Sequence, residues 1–241
     1  MKALITGANG FLGSAVLRLL VSEGYDVRVL VRPNADKRNL EKFDLKIIEG
    51  DLQNSESLKR AVDSCDQVFH VAADYRLWVP DPDKMYKTNI DGTRNLILAA
   101  TDAGVEKIVY TSSVATLGTN EDGSPANETT PSSLRDMVGV YKRSKFLAEQ
   151  TVKVLIKEKS CPVTIVNPSA PVGPRDIKPT PTGKIILDTI RNRMPAYVAT
   201  GLNIVHVDDV CRSCDAELIG TRCTNVFHLS FVMNIAILII I

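Results

Sequence analysis

The sequence predicts an α/β fold built on a doubly wound parallel sheet. Strand and helix signals alternate from the first residues onward. A glycine turn follows the first strand and opens the first helix. With 241 residues, 44% of them hydrophobic, the chain is long enough to bury one such core and to add a small lobe.

Lys2 to Thr6 is an apolar run too short for a helix and reads as a buried strand. Gly7, Gly10 and Gly13 follow in G-x-x-G-x-x-G spacing, and Phe11, Leu12, Ala15, Val16, Leu19 and Leu20 give the first helix its apolar face. Strand, glycine turn and helix in that order form the Rossmann-type dinucleotide context. Gly7 permits the tight turn, Gly10 lets the backbone approach a pyrophosphate, and Gly13 lets helix and strand pack closely. The unpaired N–H groups of the helix's first turn then face the phosphates.

Gly24 ends that helix, and Asp26–Arg32 reads as the second strand. Asp44–Ile48 is the third, leading to Gly50-Asp51-Leu52. Ser55–Val62 is helical, capped by Asn54 or Ser55. Gln67–Ala72 is the fourth strand, and a long helical pattern runs from Pro82 to Ala103. Lys107–Ser112 is the fifth strand, Glu121–Ser133 a surface loop, Tyr141–Glu158 a long amphipathic helix and Pro162–Asn167 the sixth strand. Right-handed crossovers give the sheet order 3-2-1-4-5-6. Five prolines between Pro168 and Gly183 predict a shaped loop. A helix at Lys184–Arg193 and a strand within Gly201–Val210 running into an acidic turn follow. The chain divides into a dinucleotide-binding domain, 1–168, and a substrate lobe, 169–241.

An acid at the end of the second strand would hold the adenosine ribose and favour NAD. That stretch, Arg28 to Arg32, has none. Arg32, helped by Lys37 or Arg38, is placed to meet a 2′-phosphate, so NADP(H) is the expected cofactor and NAD(H) the alternative. A solvated surface role for Arg32 is the competing reading. Asp51 and Leu52 either hold the adenine edge or form a plain strand-end turn.

Tyr141 and Lys145, four apart, share one helix face. A neighbouring ammonium stabilises phenolate and so lowers a tyrosine pKa from about 10 toward a usable acid/base. Thr111, Ser112 and Ser113 lie at the carboxyl end of the fifth strand, where parallel sheets bind ligands.

With these motifs in family order, the chain resembles the extended short-chain dehydrogenase/reductases. The shared runs are T-G-A-N-G-F-L-G, the Gly-Asp-Leu turn, His70-Val-Ala-Ala73, Asn89 to Asn95, Tyr-Thr-Ser-Ser113, Tyr141/Lys145 and Val205 to Asp209. The resemblance implies a catalytic triad of Ser113, Tyr141 and Lys145, with the lysine also holding the nicotinamide ribose. It implies cofactor contacts at Gly7, Asn9, Gly10, Phe11, Leu12, Gly13, Ala72, Ala73, Thr111 and Pro168. The runs 72–82, 128–150 and 167–185 resemble more closely the hopanoid-associated sugar epimerase branch, near the dihydroflavonol reductases. That implies a bacterial protein and a sugar-type small-molecule substrate. Tyr75, Arg76 and Trp78 follow the fourth strand and, with the proline-rich loop, would cover the nicotinamide end. Trp78 either stacks on a ring or simply packs, and Arg175 or Arg76 either holds an anion such as a diphosphate or is solvated.

A net charge of +1 gives no electrostatic case for nucleic acid or an anionic membrane. The N-terminus reads as a core strand, not a signal peptide. Five cysteines without framework spacing suit a reducing cytoplasm. Cys211-x-x-Cys214 with Cys223 and His228 offers one tight pair where a structural zinc site uses two, so no metal is expected; His206 is read as structural. Val232–Ile241 is too short to cross a bilayer, which needs about 20 residues. The short tail is expected to leave the substrate lobe truncated relative to the family. Asn225–Ser230 reads as a last strand. Val232–Ile241 is expected to pair as a strand, cover a core face or drive self-association, with a homodimer as one outcome. The expected function is an NADP(H)-dependent oxidoreductase or epimerase. The alternatives are a dihydroflavonol-reductase-like carbonyl reductase and a dinucleotide-binding regulatory protein without turnover.

Overall fold

The structure, a computed structural model, describes residues 1–76, 78–194, 197–198, 201–219, 227–229 and 239–240. Its main sheet contains β1 (Lys2–Thr6), β2 (Asp26–Val31), β3 (Lys46–Glu49), β4 (Gln67–His70), β5 (Lys107–Thr111) and β6 (Val163–Pro168), in the order β3-β2-β1-β4-β5-β6. All five pairings are parallel, in the order that alternation and crossover handedness predict. β1 is central, with Ala3–Thr6 facing both Val27–Leu30 of β2 and Gln67–His70 of β4. That register sets Thr6 beside His70 at the carboxyl end.

Alternation along the strands splits the core into two layers. Ala3, Ile5, Val27, Val29, Phe69 and Val109 face one side, where α1 (Phe11–Ser22) covers them with Val16, Leu17 and Leu20. Leu4, Leu30, Val68, Ile108, Tyr110 and Ile165 face the other. There they meet α2 (Ser55–Val62), a long bent helix and the helix that follows the 121–133 loop. Asn54 caps α2, its side chain accepting from Ser57 N at 2.9 Å. At the other end of α2, buried Arg28 reaches from β2 and donates to the carbonyls of Arg60, Ala61 and Asp63 at 3.1, 2.9 and 2.8 Å. These are the carbonyls a helix end leaves unpaired.

The predicted Pro82–Ala103 helix is a composite. α3 (Pro82–Tyr86) passes through a π-turn at Lys87–Asp91 into α4 (Gly92–Asp102). α5 (Val140–Lys159) is a single helix of 20 residues.

Past β6 three boundaries differ from expectation. β7 (Ala170–Val172) forms within the proline-rich segment. α6 runs Pro181–Ile190 and not Lys184–Arg193, because Pro181 suits the first helical position and Thr180 Oγ1 caps it, accepting from Gly183 N at 3.1 Å. β8 (Tyr197–Val198) follows, and then β9 (Ile204–His206), which pairs in parallel with β7. The expected acidic turn is instead the start of α7 (Val207–Ile219), where Asp208 and Asp209 favour the positive end of the helix dipole. α7 packs on α1 through Val207, Cys211 and Cys214. β10 (Phe227–Leu229) lies parallel to β6 at the sheet's edge, within the segment read as a last strand.

Cys223 and most of Val232–Ile241 lie outside the described residues; of the latter, Ile239–Ile240 (β11) pair antiparallel with β8. Among the described residues no helix is long and apolar enough to cross a membrane.

Candidate active site

The carboxyl end of β1 carries the glycine turn. Gly7 adopts φ +75°, and a Cβ there would lie 2.7 Å from Ala72 N, so this turn and the segment leaving β4 touch backbone to backbone. A Cβ on Gly13 would lie 2.1 Å from Gly7 O, which excludes any larger residue without movement. α1 starts from Gly10 with no side-chain cap and no acid in its first turn. Its leading N–H groups and the positive end of its dipole therefore suit a phosphate group. Phe11 and Leu12 are half-buried against the α1 side of the core. Asn9 Nδ2 donates to Asp36 O at 3.2 Å, and Asn39 Nδ2 to Asn9 O at 3.3 Å, tying the loop after β2 to the glycine turn.

Three of the cations of that loop part company. Arg38 is held by Asp36 through Nε and Nη2, and Lys37 by Glu49 at 3.1 Å. Arg32 is exposed and has no ion pair among the described residues. Arg38, the expected helper at a 2′-phosphate, thus has a carboxylate partner already. Asp51 closes its own turn by accepting from Gln53 N at 2.9 Å, and Leu52 is buried in the core.

At the catalytic end, the Tyr141 phenol lies next to the Ser113 side chain, and its ring meets Tyr75 edge-on at 4.7 Å between centroids. Burial, and then the neighbouring Tyr75, push its pKa up; the nearby Ser113 hydroxyl works the other way. Lys145 Nζ is buried, donating to Tyr110 Oη at 3.1 Å and Thr111 O at 2.7 Å, and it sits 4.7 Å from the centre of the Tyr110 ring. Burial pulls this ammonium down to about 7, against an upward pull from the Glu149 carboxylate. The expected depression of the tyrosine by its lysine is therefore corrected: the phenol is raised, because desolvation dominates and the lysine is bonded to Tyr110.

A buried polar chain continues from there. His70 Nδ1 and Thr6 Oγ1 are 2.7 Å apart, His70 Nε2 and Thr93 Oγ1 2.9 Å. Burial first, and the Lys145 charge second, hold His70 down to about 3, so it is neutral. Thr111 Oγ1 is buried without a partner among the described residues, and Pro168 is the buried last residue of β6.

Asn89, set on the π-turn, brackets Asp74, accepting from its N at 2.7 Å and donating to its O at 3.1 Å, and it also donates to Ser144 Oγ at 2.9 Å. This fixes the segment containing Ala73 and Tyr75, and the Tyr75 phenol lies near Thr182 on α6. The structure thus brings Tyr75, Ser113, Tyr141 and Lys145 together. Trp78 stands apart, 77% exposed with no ring contact among the described residues. Arg76 is paired with Asp74. Arg175 is exposed with φ +70° and lies within electrostatic reach of Arg18 on α1.

Sequence reasoning missed Tyr110, Thr93, Asn167, Thr182 and Glu149. Glu149 alone left a signal, an acid four residues after Lys145 on the same helix face.

Fold and site define a Rossmann-type α/β protein with Tyr141, Lys145 and Ser113 at the carboxyl ends of its strands. The chain belongs to the NAD dependent epimerase/dehydratase family, whose model matches residues 3–219. It is 46% identical over 206 residues to the "Putative dihydroflavonol 4-reductase" of Synechocystis sp., covering 86% of this chain and 60% of that protein. The crystal structure of gox2253 superposes with a TM-score of 0.91 at 55% identity, covering 95% of this chain and 69% of that one. The UDP-glucose 4-epimerase of Thermotoga maritima, solved with UDP-glucose, gives a TM-score of 0.80 at 26% identity, covering 95% and 76%. The chain thus spans about 60% of the length of the Synechocystis relative.

Proposed function

We propose that the chain performs NADP(H)-dependent hydride chemistry on a carbonyl or secondary alcohol, with Tyr141 as the proton donor and acceptor. The observation that carries this reading is the buried Tyr141 phenol next to the Ser113 side chain, one helical turn from buried Lys145, at the sheet end where the glycine turn also opens. The dinucleotide, when bound, supplies or takes the hydride. Ser113 holds the substrate oxygen, and Tyr141 passes the proton to or from it. Lys145, buried at the carboxyl end of β5 with its Nζ on Thr111 O, meets the ribose. The uncapped start of α1 takes the pyrophosphate, and Arg32, exposed and without an ion pair among the described residues, favours a 2′-phosphate over a bare ribose.

Net reduction is the first reading, since the Synechocystis relative at 46% identity is named for a reductase. Sugar epimerisation is the second, favoured by the motif runs at 72–82, 128–150 and 167–185 and by the likeness to the Thermotoga epimerase. The two differ in stoichiometry: a reductase consumes one NADPH per turnover, whereas an epimerase returns the hydride and consumes none. Tyr141→Phe keeps the ring and removes the transferable proton. It is expected to bind NADPH normally and to lose about 10²- to 10⁴-fold in turnover of a dihydroflavonol or a UDP-sugar. A loss under threefold removes Tyr141 from the role.

A further inference from the structure

We propose that Glu149 is a positioning residue of this site: one buried carboxylate on α5 gathers the donors that fix Ser113 and sets its charge beside Lys145. The inference rests on the Tyr–Lys–Ser reading and adds a residue that touches none of the reacting atoms.

Glu149 is buried, with 1% of its side chain exposed. Its Oε2 accepts from Ser112 Oγ at 2.5 Å, Thr116 Oγ1 at 2.7 Å and Asn167 Nδ2 at 2.8 Å, and its Oε1 meets Lys153 Nζ at 2.7 Å. The three donors on one oxygen come from three places: the residue after β5, the 3-10 turn at Val114–Thr116, and β6. Two of them also reach Ser113 itself. Asn167 Nδ2 shares its two protons among Glu149 Oε2, Thr116 Oγ1 at 3.0 Å and Ser113 O at 3.1 Å. Thr116 Oγ1 shares its single proton between Glu149 Oε2 and Ser113 O, the latter at 2.8 Å. The Ser113 carbonyl is thereby held by two donors, while its hydroxyl oxygen accepts from Ala115 N at 3.2 Å and stays beside Tyr141.

Burial raises the Glu149 pKa, but the bonds from Lys153, Ser112 and Thr116 outweigh it, so the group stays ionised. A carboxylate in the core is costly, and simple packing would be better served by an apolar side chain.

The same charge faces Lys145, one helical turn earlier on α5. Around that ammonium, Tyr110 on β5 and Tyr141 on α5 are neutral phenols with raised pKa values, and His70 on β4 is neutral. Lys87 and Asp91, on the π-turn packed against α5, are exposed, as is the Lys153 ammonium to a large extent. Glu149 is thus the buried anion that opposes the desolvation of Lys145.

The test follows Lys145 by NMR in the full chain carrying isotope-labelled lysine, with the signal assigned through Lys145→Met. Glu149→Gln keeps the shape and the oxygen that accepts from Ser112 and Asn167 but removes the charge. It is expected to lower the Lys145 midpoint from about 7 by about one pH unit. Thr116→Val keeps the charge and removes one donor. It is expected to leave the Lys145 midpoint in place and to speed amide exchange at 113–116 by about tenfold, with β1 and β4 unchanged. A Lys145 midpoint unmoved by Glu149→Gln overturns the electrostatic half, and unaltered exchange at 113–116 in Thr116→Val overturns the clamp. Neither readout needs substrate, so a failed Tyr141→Phe test leaves both standing, and their failure leaves the Tyr141 result intact.

Discussion

The two ends of the candidate site are made of different material. The dinucleotide end is backbone: a glycine at φ +75°, a glycine whose missing Cβ admits a carbonyl, and a helix start with no side-chain cap. The catalytic end is side chain: Thr6, His70, Thr93, Tyr110, Lys145, Ser112, Glu149 and Asn167 form buried polar contacts across β1, β4, β5, β6 and two helices. A backbone site depends on the absence of atoms and fails sterically. A side-chain network depends on matched donors and acceptors and fails electrostatically. The two halves should therefore respond to different perturbations.

The largest effect is expected at the backbone end. Gly13→Ala forces a methyl group to within 2.1 Å of Gly7 O. It should cost about 3 kcal/mol in urea unfolding and abolish dinucleotide binding in a fluorescence titration. Normal binding by this variant would mean the turn has slack, and the contrast between the two ends would collapse.

The catalytic end is expected to respond to acid. His70 titrates at about 3 when folded and at about 6.5 when unfolded, so below 6.5 the unfolded chain binds a proton that the folded chain refuses. Stability should fall as pH drops through the window from 6.5 to 3, by at most about 1.4 kcal/mol per unit from this group. His70→Asn should flatten the curve by that amount in unfolding series collected between pH 4 and 7. Identical slopes in both proteins would place the acid sensitivity outside this network.

The smallest effects separate the cations of the loop after β2. Arg32→Ala should weaken NADP(H) binding by about tenfold. Arg38→Ala should stay within about twofold, since its exposed guanidinium is already on Asp36 and such pairs contribute little. Equal losses for the two would return Arg38 to the 2′-phosphate site.

The same division decides what could be read from the sequence. The glycine turn was legible because its signal is local: three residues at fixed spacing between a strand and a helix. Sheet order was legible for a similar reason, through the regular alternation of elements. The polar network was not, because its members meet only after folding. His70 touches Thr6 and Thr93, far from it in the chain, and Lys145 finds Tyr110 rather than the tyrosine four residues before it. The acidic pair Asp208–Asp209 is ambiguous because acids suit both turns and first helical turns; the apolar spacing of Val207, Val210, Cys211 and Cys214 is what favours the helix. Trp78 has the chemistry of a stacking residue, and a side chain's chemistry alone does not say which way it faces.

The π-turn at Lys87–Asp91 gives the long helix a second rotational phase. An α-helix advances about 100° per residue, so one residue of extra winding turns everything upstream by about a quarter of a circle relative to everything downstream. Here Thr93 meets His70 while Asn89, on the wide turn itself, meets Asp74 and Ser144. A single helix thereby reads two neighbours that do not lie along one line, the strand end at His70 and the segment that presents Tyr75. In mechanical terms the turn is a coupling between two shafts, and shortening it by one residue would leave both ends folded but out of step with each other.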